Sequence, residues 1–349
     1  MKNKENTIEH LYSEIKKFKN STDDKYQKKN LFKYFKNYLN KLNDYRIKID
    51  TGFACNANCY FCYYKSHLND PFLNFEEIKR QINLAKIMKF KQVEFSGGES
   101  SIHPDWFKWL DYATSLNLIS STVSNGLKFS NWDFIKKSKE KGLNEILFSV
   151  HGYKENHDKM VGVQGAFDKI LKAIEYANKL NILVRINITI NLLNIDSIFE
   201  NINNLLNNYN IRQINFIEIN NSHEAFKTAT KQHKTIYERL PELYKTFDLI
   251  ISKIPYEDCL NIRYVPFCKI DSKYHKYNKN YIHHWFDKWD WNPLFIHRPD
   301  FTNEKMNYWK NKRIEKFVDQ LICTRNFWYI KNKECQECQY KEVCDGYKK

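Results

Sequence analysis

The chain has 349 residues, of which 42% are hydrophobic and 16% aromatic, so it is long enough for one large domain or a large and a small one. That composition excludes a largely disordered protein, and no run of about 18 uncharged apolar residues predicts a membrane-spanning helix. The N-terminus lacks the apolar run of a signal peptide, so we expect a cytoplasmic location and no membrane partner.

A formal net charge of +15 could indicate a nucleic-acid partner. Lysine, asparagine, isoleucine and tyrosine are dense along the whole chain, however, which indicates a compositional bias of the source. No helix-turn-helix, zinc-finger or RNP motif accompanies the charge. The sequence therefore does not favour nucleic acid as a partner.

Residues 1–43 predict a polar, lysine-rich helical extension, and a strand–helix alternation follows it. The predicted strands are Tyr45–Thr51, Gln92–Ser96, Ile119–Ser124, Glu145–His151, Ile182–Asn191 and Gln213–Ile219. Helical patterns fill the gaps, at 75–89, 105–116, 131–141, 165–180 and 196–209. Strands joined by crossover helices imply an α/β fold with a parallel sheet, either an open doubly wound sheet or a partial barrel. In both folds, ligands bind at the carboxyl ends of the strands.

The alternation weakens after about residue 222, where we expect the core at 44–222 to end. A helical linking region is predicted at 223–255, and prolines then interrupt an aromatic-rich, irregular segment at 256–349. Nine cysteines in a cytoplasmic chain favour metal ligands or catalytic thiols over disulfides. Three of them follow the first predicted strand, and the other six lie in the last segment.

Cys55, Cys59 and Cys62 form the first group, with the spacing Cys-x3-Cys-x2-Cys. Three thiolates on one short loop suit three corners of an iron–sulfur cube and leave one iron open to a ligand. A zinc site usually needs four ligands, and no fourth candidate lies nearby in the sequence. With Phe61 before the last cysteine, the loop resembles that of the radical S-adenosylmethionine superfamily. The resemblance implies a partial (β/α)6 TIM-type barrel, a [4Fe–4S] cluster and bound S-adenosylmethionine, with Phe61 in the cofactor loop.

Other residues at the predicted strand ends extend the resemblance. The segment Gly97-Gly98-Glu99 is similar to the family's Gly-Gly-Glu segment, which holds the methionine amino group. Ser124 and Asn125 end the third strand, and the resemblance assigns Ser124 to the ribose. Arg185 would need an anion if it pointed into a barrel. By resemblance, Arg185 and Ser149 would bind the carboxylate of S-adenosylmethionine.

The second cysteine group lies near the C-terminus. Cys335, Cys338 and Cys344 have the spacing Cys-x2-Cys-x5-Cys, Gly346 follows them, and Cys268 lies upstream. On spacing alone, these cysteines suit a zinc ribbon or a second iron–sulfur cluster. The spacing with the following glycine resembles the SPASM and twitch extensions, which hold auxiliary [4Fe–4S] clusters.

The fuller SPASM pattern has a further cysteine where this chain has Lys348. The six cysteines of the last segment are too few for two clusters with four thiolates each. We therefore expect one auxiliary cluster, held by Cys268, Cys335, Cys338 and Cys344. Cys259 and Cys323 stay unassigned, either as ligands or as plain buried thiols.

By resemblance, the chain would form a 5′-deoxyadenosyl radical that removes a hydrogen atom from a substrate, and flavodoxin or ferredoxin would supply the electron. The substrate is expected to be a peptide, as in a maturase, or a small molecule that is oxidised. The helical extension does not resemble a peptide-recognition domain, which weakens the hypothesis of a peptide substrate. Two alternatives stay open: a non-catalytic, zinc-binding nucleic-acid-binding protein, and an RNA-modifying enzyme of the same superfamily.

Overall fold

The computed structural model describes residues 46–62, 64–65, 68–87, 89–219, 236–279, 329–340, 344 and 346–348. The extension predicted at 1–43 and the unassigned Cys323 lie outside these residues. Among the described helices, none is long and apolar enough to cross a membrane.

Seven parallel strands form one sheet and pair in the order of the sequence. They are β1 (Arg46–Asp50), β2 (Gln92–Ser96), β3 (Ile119–Ser124), β4 (Leu143–Ser149), β5 (Leu183–Ile190), β6 (Gln213–Glu218) and β7 (Leu260–Arg263). The sheet curls into a half-barrel, which confirms the predicted partial TIM-type barrel. A doubly wound sheet would reverse its strand order at a switch point, and this sheet does not.

The six predicted strands are all present, and the seventh was not predicted. Leu260–Arg263 pairs with β6, so the sheet extends beyond the boundary expected near residue 222. The strand has four residues and lies between Pro255 and Pro266, which made this segment look irregular in the sequence. The division of the chain into a core, a linker and a C-terminal domain stays a prediction.

Helices alternate with the strands and cover the outer face of the sheet. They are α1 (Phe75–Ile87), α2 (Trp106–Ser115), α3 (Trp132–Glu140), α4 (Glu155–Val161), α5 (Ala166–Lys179), α6 (Ile198–Asn208) and α7 (Tyr244–Lys253). The short helix α4 was not predicted. Helix α5 buries Phe167, Ile170 and Ile174 along one stripe, because residues three and four apart share a face of a helix.

Side chains alternate between the two faces of each strand. Apolar residues such as Ile47, Phe95 and Phe148 lie in the hydrophobic core between the sheet and the helices. The other face is the concave interior of the half-barrel, and it carries polar and charged residues. This division leaves the interior chemically equipped for a polar ligand.

A buried charge cluster occupies the concave face near the amino ends of the strands. Arg46 donates to Glu94 at 2.8 Å and to Glu145 at 2.7 Å. Arg185 donates to Glu145 at 2.7 Å and to Gln213 at 3.0 Å. Burial acts to raise the pKa of Glu145, but the guanidiniums of Arg185 and Arg46 outweigh burial and lower the pKa to about 2. Glu145 is therefore ionised in the folded protein.

The described C-terminal residues form a short antiparallel pair, β8 (Tyr329–Ile330) and β9 (Tyr347–Lys348). A single 3-10 turn, Lys333–Cys335, lies between them in the described sequence. Little regular structure is present in these residues. Cys335 ends the 3-10 turn, and Cys338 lies just before another turn.

Candidate cluster and cofactor site

The first cysteine loop leaves β1 at the carboxyl edge of the sheet. Its backbone is anchored to the end of α4, since Asn58 N donates to Val161 O at 2.9 Å and Tyr60 N donates to Met160 O at 3.2 Å. Helix α4, although missed in the sequence, thus supports the loop. These two hydrogen bonds hold the backbone in place on both sides of Cys59.

Cys55, Cys59 and Cys62 lie close enough on the loop for their thiols to interact electrostatically. Burial raises the pKa of Cys55 to about 12, with the Glu99 carboxylate adding to the effect. Burial also raises the pKa of Cys59 to about 12, assisted by the neighbouring Cys55 and Cys62. Three partly buried thiols on one loop match the donor set of an iron–sulfur cluster. Because thiolates bind metal, assembly of a cluster here must release the thiol protons.

The Gly-Gly-Glu segment packs directly against the cysteine loop. Gly98 N donates to Gly52 O, and Glu99 N donates to Ala54 O, both at 2.9 Å. A Cβ atom on Gly98 would overlap the carbonyl oxygens of Phe53 and Ala54. Glycine is therefore required at position 98 for the two backbones to approach each other.

Glu99 connects this segment to the end of β3. Its carboxylate accepts hydrogen bonds from Ser101 Oγ at 2.5 Å, Ser124 Oγ at 3.0 Å and Asn125 N at 2.8 Å. Burial raises the pKa of Glu99, and these hydrogen bonds oppose that effect. The amide of Asn125 also lies 3.8 Å from Cys55 Sγ. The predicted Glu99, Ser124 and Asn125 thus form one group beside the cysteines.

Phe61 rests on a histidine that the sequence analysis did not single out. The rings of Phe61 and His151 meet edge to face, with centroids 4.6 Å apart. Thr189 N donates to His151 Nδ1, and His151 N donates to His157 Nδ1, both at 3.1 Å. Burial lowers the pKa of His151 to about 3, so its ring is neutral. In the sequence, His151 is the last residue of the predicted fourth strand, and this position at a strand end is the signal that could have found it.

Ser149 and Arg185, both expected to bind the carboxylate of the cofactor, lie at different levels of the half-barrel. Ser149 ends β4 on the concave face and is half-buried. Arg185 is fully buried and pairs in register with Leu147, two residues before Ser149. Its counter-anion is Glu145. Arg185 thus pairs with a carboxylate of the protein itself, and its expected role at the cofactor carboxylate stays a prediction.

The second group of cysteines lines one small cavity. Its lining consists of Pro266, Cys268, Lys331, Cys335, Cys338, Cys344, Gly346 and Tyr347. Two of the sulfurs accept backbone hydrogen bonds, from Gly346 N to Cys344 Sγ at 3.3 Å and from Tyr340 N to Cys338 Sγ at 3.5 Å. All four expected ligands therefore surround one space, and their donor set fits an iron–sulfur cluster.

Cys259 lies apart from both groups. It is 1% exposed and belongs to the hydrophobic core next to β7. Burial raises its pKa. Of the two unassigned cysteines, the described one is thus a buried thiol in an apolar setting.

The chain is similar in sequence to proteins of one known family. Residues 49–205 match the family model of the radical SAM superfamily. A probable GTP 3′,8-cyclase of Saccharolobus islandicus (strain Y.N.15.51) is 29% identical over 196 residues, which are 55% of this chain and 62% of that protein. The chain thus spans less than two thirds of that relative's length.

Two solved structures share the fold. SuiB of Streptococcus suis bound to S-adenosylmethionine superposes with a TM-score of 0.56 and 14% identity, over 97% of this chain and 82% of that one. SuiB bound to the precursor peptide SuiA gives a TM-score of 0.52 and 14% identity, over 94% and 77% of the two chains. At this identity, the likeness shows a common fold.

Proposed function

We propose that this chain is a radical SAM enzyme, in which Cys55, Cys59 and Cys62 hold a [4Fe–4S] cluster and which cleaves S-adenosylmethionine, since residues 49–205 match that family's model. When bound, the reduced cluster supplies the electron that splits S-adenosylmethionine into methionine and a 5′-deoxyadenosyl radical, which removes a hydrogen atom from a substrate. The observation that carries the proposal is the contact between the cysteine loop and the Gly-Gly-Glu segment. This contact puts the expected cluster ligands beside the residues expected to bind the cofactor, at one edge of the sheet.

The chain's own residues would bind and orient the cofactor. Gly97 and Gly98 let the cysteine loop pack against this segment, because a Cβ atom at either position would overlap carbonyl oxygens of that loop. Ser101, Ser124 and Asn125 hold the carboxylate of Glu99 in place through three hydrogen bonds. A fixed carboxylate suits an ammonium group, such as the amino group of methionine.

The proposal is tested by measuring 5′-deoxyadenosine after anaerobic reconstitution with iron and sulfide, with dithionite as the reductant. The wild-type chain should form 5′-deoxyadenosine, and Cys55→Ser should form none because one corner of the cluster is lost. Cys259→Ala is the matched control, since its thiol lies in the core and should retain both iron and activity. Colourless, zinc-loaded wild-type protein that forms no 5′-deoxyadenosine would instead support the zinc-binding alternative.

We also propose an auxiliary [4Fe–4S] cluster on Cys268, Cys335, Cys338 and Cys344. The cavity that these four residues line supports it. With two four-iron clusters, the loaded protein should contain about eight irons. The double variant Cys335→Ala/Cys338→Ala should lose about half of them and still cleave S-adenosylmethionine. Unchanged iron content in that variant would contradict the proposal.

Two substrate classes have separate support. The superposition on SuiB with its precursor peptide supports a peptide substrate, for which the enzyme would be a maturase. The Saccharolobus relative is named as a GTP cyclase, which supports a small molecule, a purine nucleotide. A net charge of +15 also suits an acidic, flavodoxin- or ferredoxin-like electron donor in the cytoplasm.

A further inference from the structure

Three asparagines lie side by side on the concave face of the half-barrel. Asn187 of β5 pairs in register with Asn215 of β6, which pairs with Asn261 of β7. Neighbouring strands are about 4.8 Å apart, so the three side chains span about 10 Å across the sheet. We call these three residues the asparagine row.

The contacts of β6 place the row on the concave face. Gln213 lies two residues before Asn215 and accepts a hydrogen bond from Arg185 of the concave charge cluster. The next residue, Phe216, points the other way and packs against Phe247 of α7, with centroids 5.1 Å apart. Because side chains alternate along a strand, Asn215 and its register partners face the interior.

The amide oxygens of the row are buried and lack a partner among the described residues, although Asn187 as a whole is half-buried. Asn215 is 2% exposed and Asn261 is fully buried. The Oδ1 atoms of all three asparagines, and also Nδ2 of Asn261, have no hydrogen-bond partner among the residues that the structure describes. Buried polar groups are almost always paired, so a row of amide oxygens that lack a partner among the described residues offers hydrogen-bonding groups for a ligand on the concave face.

The row continues the edge that carries the cysteine loop. Ser149 pairs in register with Asn187, and Ser124 pairs with Phe148, one residue before Ser149. Asn125 therefore stands next to Ser149 at the same level, with its amide 3.8 Å from Cys55 Sγ. A ligand on the row would lie in the concavity onto which the cysteine loop opens.

We propose that the asparagine row binds an uncharged amide group of the substrate, a proposal that rests on the proposed function and narrows its substrate class. A carboxamide offers one donor edge and one acceptor edge, and an amide group of a ligand offers the complementary pair. The nearby charge cluster contains two arginines and two glutamates that pair with one another, so its formal charge is balanced. A neutral amide occurs both in a peptide main chain and in the lactam of a guanine base.

The experiment compares Asn215→Leu and Asn261→Leu with Asn201→Leu in the iron-loaded full chain. Asn201 is the matched control: it is fully buried, both of its amide atoms are unpaired within the described part of the chain, and it lies on α6. Thermal unfolding and the binding of S-adenosylmethionine are measured for each variant. The binding of N-acetyl-triglycine amide, guanosine and glucose is then measured by equilibrium dialysis with S-adenosylmethionine present.

All three variants should unfold at a higher temperature, by about 2 °C or more, because each removes at least one unpaired buried polar atom. S-adenosylmethionine should bind equally to every variant. One of the two amide probes should bind the wild type and Asn201→Leu alike, and should bind Asn215→Leu and Asn261→Leu about tenfold more weakly. The probe that binds tells whether the source of the amide is a peptide or a purine.

Several results would overturn the proposal. A lower unfolding temperature in the row variants would mean that their amides are paired in the folded protein. Weaker binding of S-adenosylmethionine would assign the row to the cofactor, and binding of glucose alone would assign it to hydroxyl groups. Absence of binding by both amide probes at their solubility limits would also contradict it. The 5′-deoxyadenosine assay on the wild type separately reports on the proposed function.

Discussion

Replacing Glu145 by glutamine should lower the free energy of unfolding by about 3–5 kcal/mol, which is the usual cost of breaking a buried ion pair on one side. Glu145 is the carboxylate shared by Arg46 and Arg185, at 2.7 Å from each. Glutamine has the same shape but no charge, so two buried guanidiniums would remain with Glu94 as the nearby carboxylate. Urea unfolding followed by circular dichroism measures the change.

The control for this substitution is Glu175→Gln, which removes a carboxylate from an exposed pair with Lys179 on α5. Exposed pairs of this kind contribute little, so its unfolding midpoint should hardly move. An equally small change in Glu145→Gln would mean that the charge cluster is solvated and contributes little to stability.

The pH dependence of stability gives a second measurement on the same residue. The folded-state pKa of Glu145 is lowered to about 2. The contribution of ionised Glu145 to the free energy of unfolding is therefore complete above about pH 5. This contribution is lost as the pH falls from there towards 2. The wild type should lose more stability than Glu145→Gln over this acid range. Parallel curves for the two proteins would contradict the lowered pKa.

The sequence predicted those parts of the fold that depend on local patterns. The strands β2 and β3 have the predicted bounds, because each contains β-branched or aromatic residues and ends just before a glycine or an asparagine. Helix α5 was clear from its apolar stripe. Strand β7 was missed because four residues with two polar members carry too little periodicity, and its place is fixed by pairing with β6.

The residues of the candidate site also fall into two groups, those visible in local sequence patterns and those brought together by long-range strand pairing. The cysteine loop and Glu99 were predicted because spacing and position after a strand are visible in the sequence. The partner of Arg185 was not predicted, since Glu145 is 40 positions away and meets it through the register of β4 and β5. The asparagine row depends on the register of three strands, including one that was not recognised. Long-range register is the information that a single sequence lacks.

Replacing Gly98 by alanine should prevent the first cluster from assembling and reduce 5′-deoxyadenosine formation by about a hundredfold or more, which corresponds to about 3 kcal/mol or more in activation free energy. The new Cβ would overlap the carbonyl oxygens of Phe53 and Ala54, which are backbone atoms of the cysteine loop. A flexible side chain could move aside, but this backbone also accepts the hydrogen bond from Glu99 N. The loop would therefore shift and separate Cys55 from Cys59 and Cys62. Iron content and 5′-deoxyadenosine are measured after anaerobic reconstitution.

Gly165→Ala is the matched control for the loss of a glycine. Gly165 has a φ of +72°, and a Cβ there would meet nothing within 4 Å. This substitution should cost about 1 kcal/mol of stability through backbone strain and leave iron content and 5′-deoxyadenosine unchanged. Gly98→Ala acts on the cluster rather than on overall stability if its unfolding midpoint stays close to that of Gly165→Ala while the irons on Cys55, Cys59 and Cys62 are lost. Full iron loading in Gly98→Ala would show that the loop tolerates the displacement and that the close approach of the two backbones is not needed to hold the cluster.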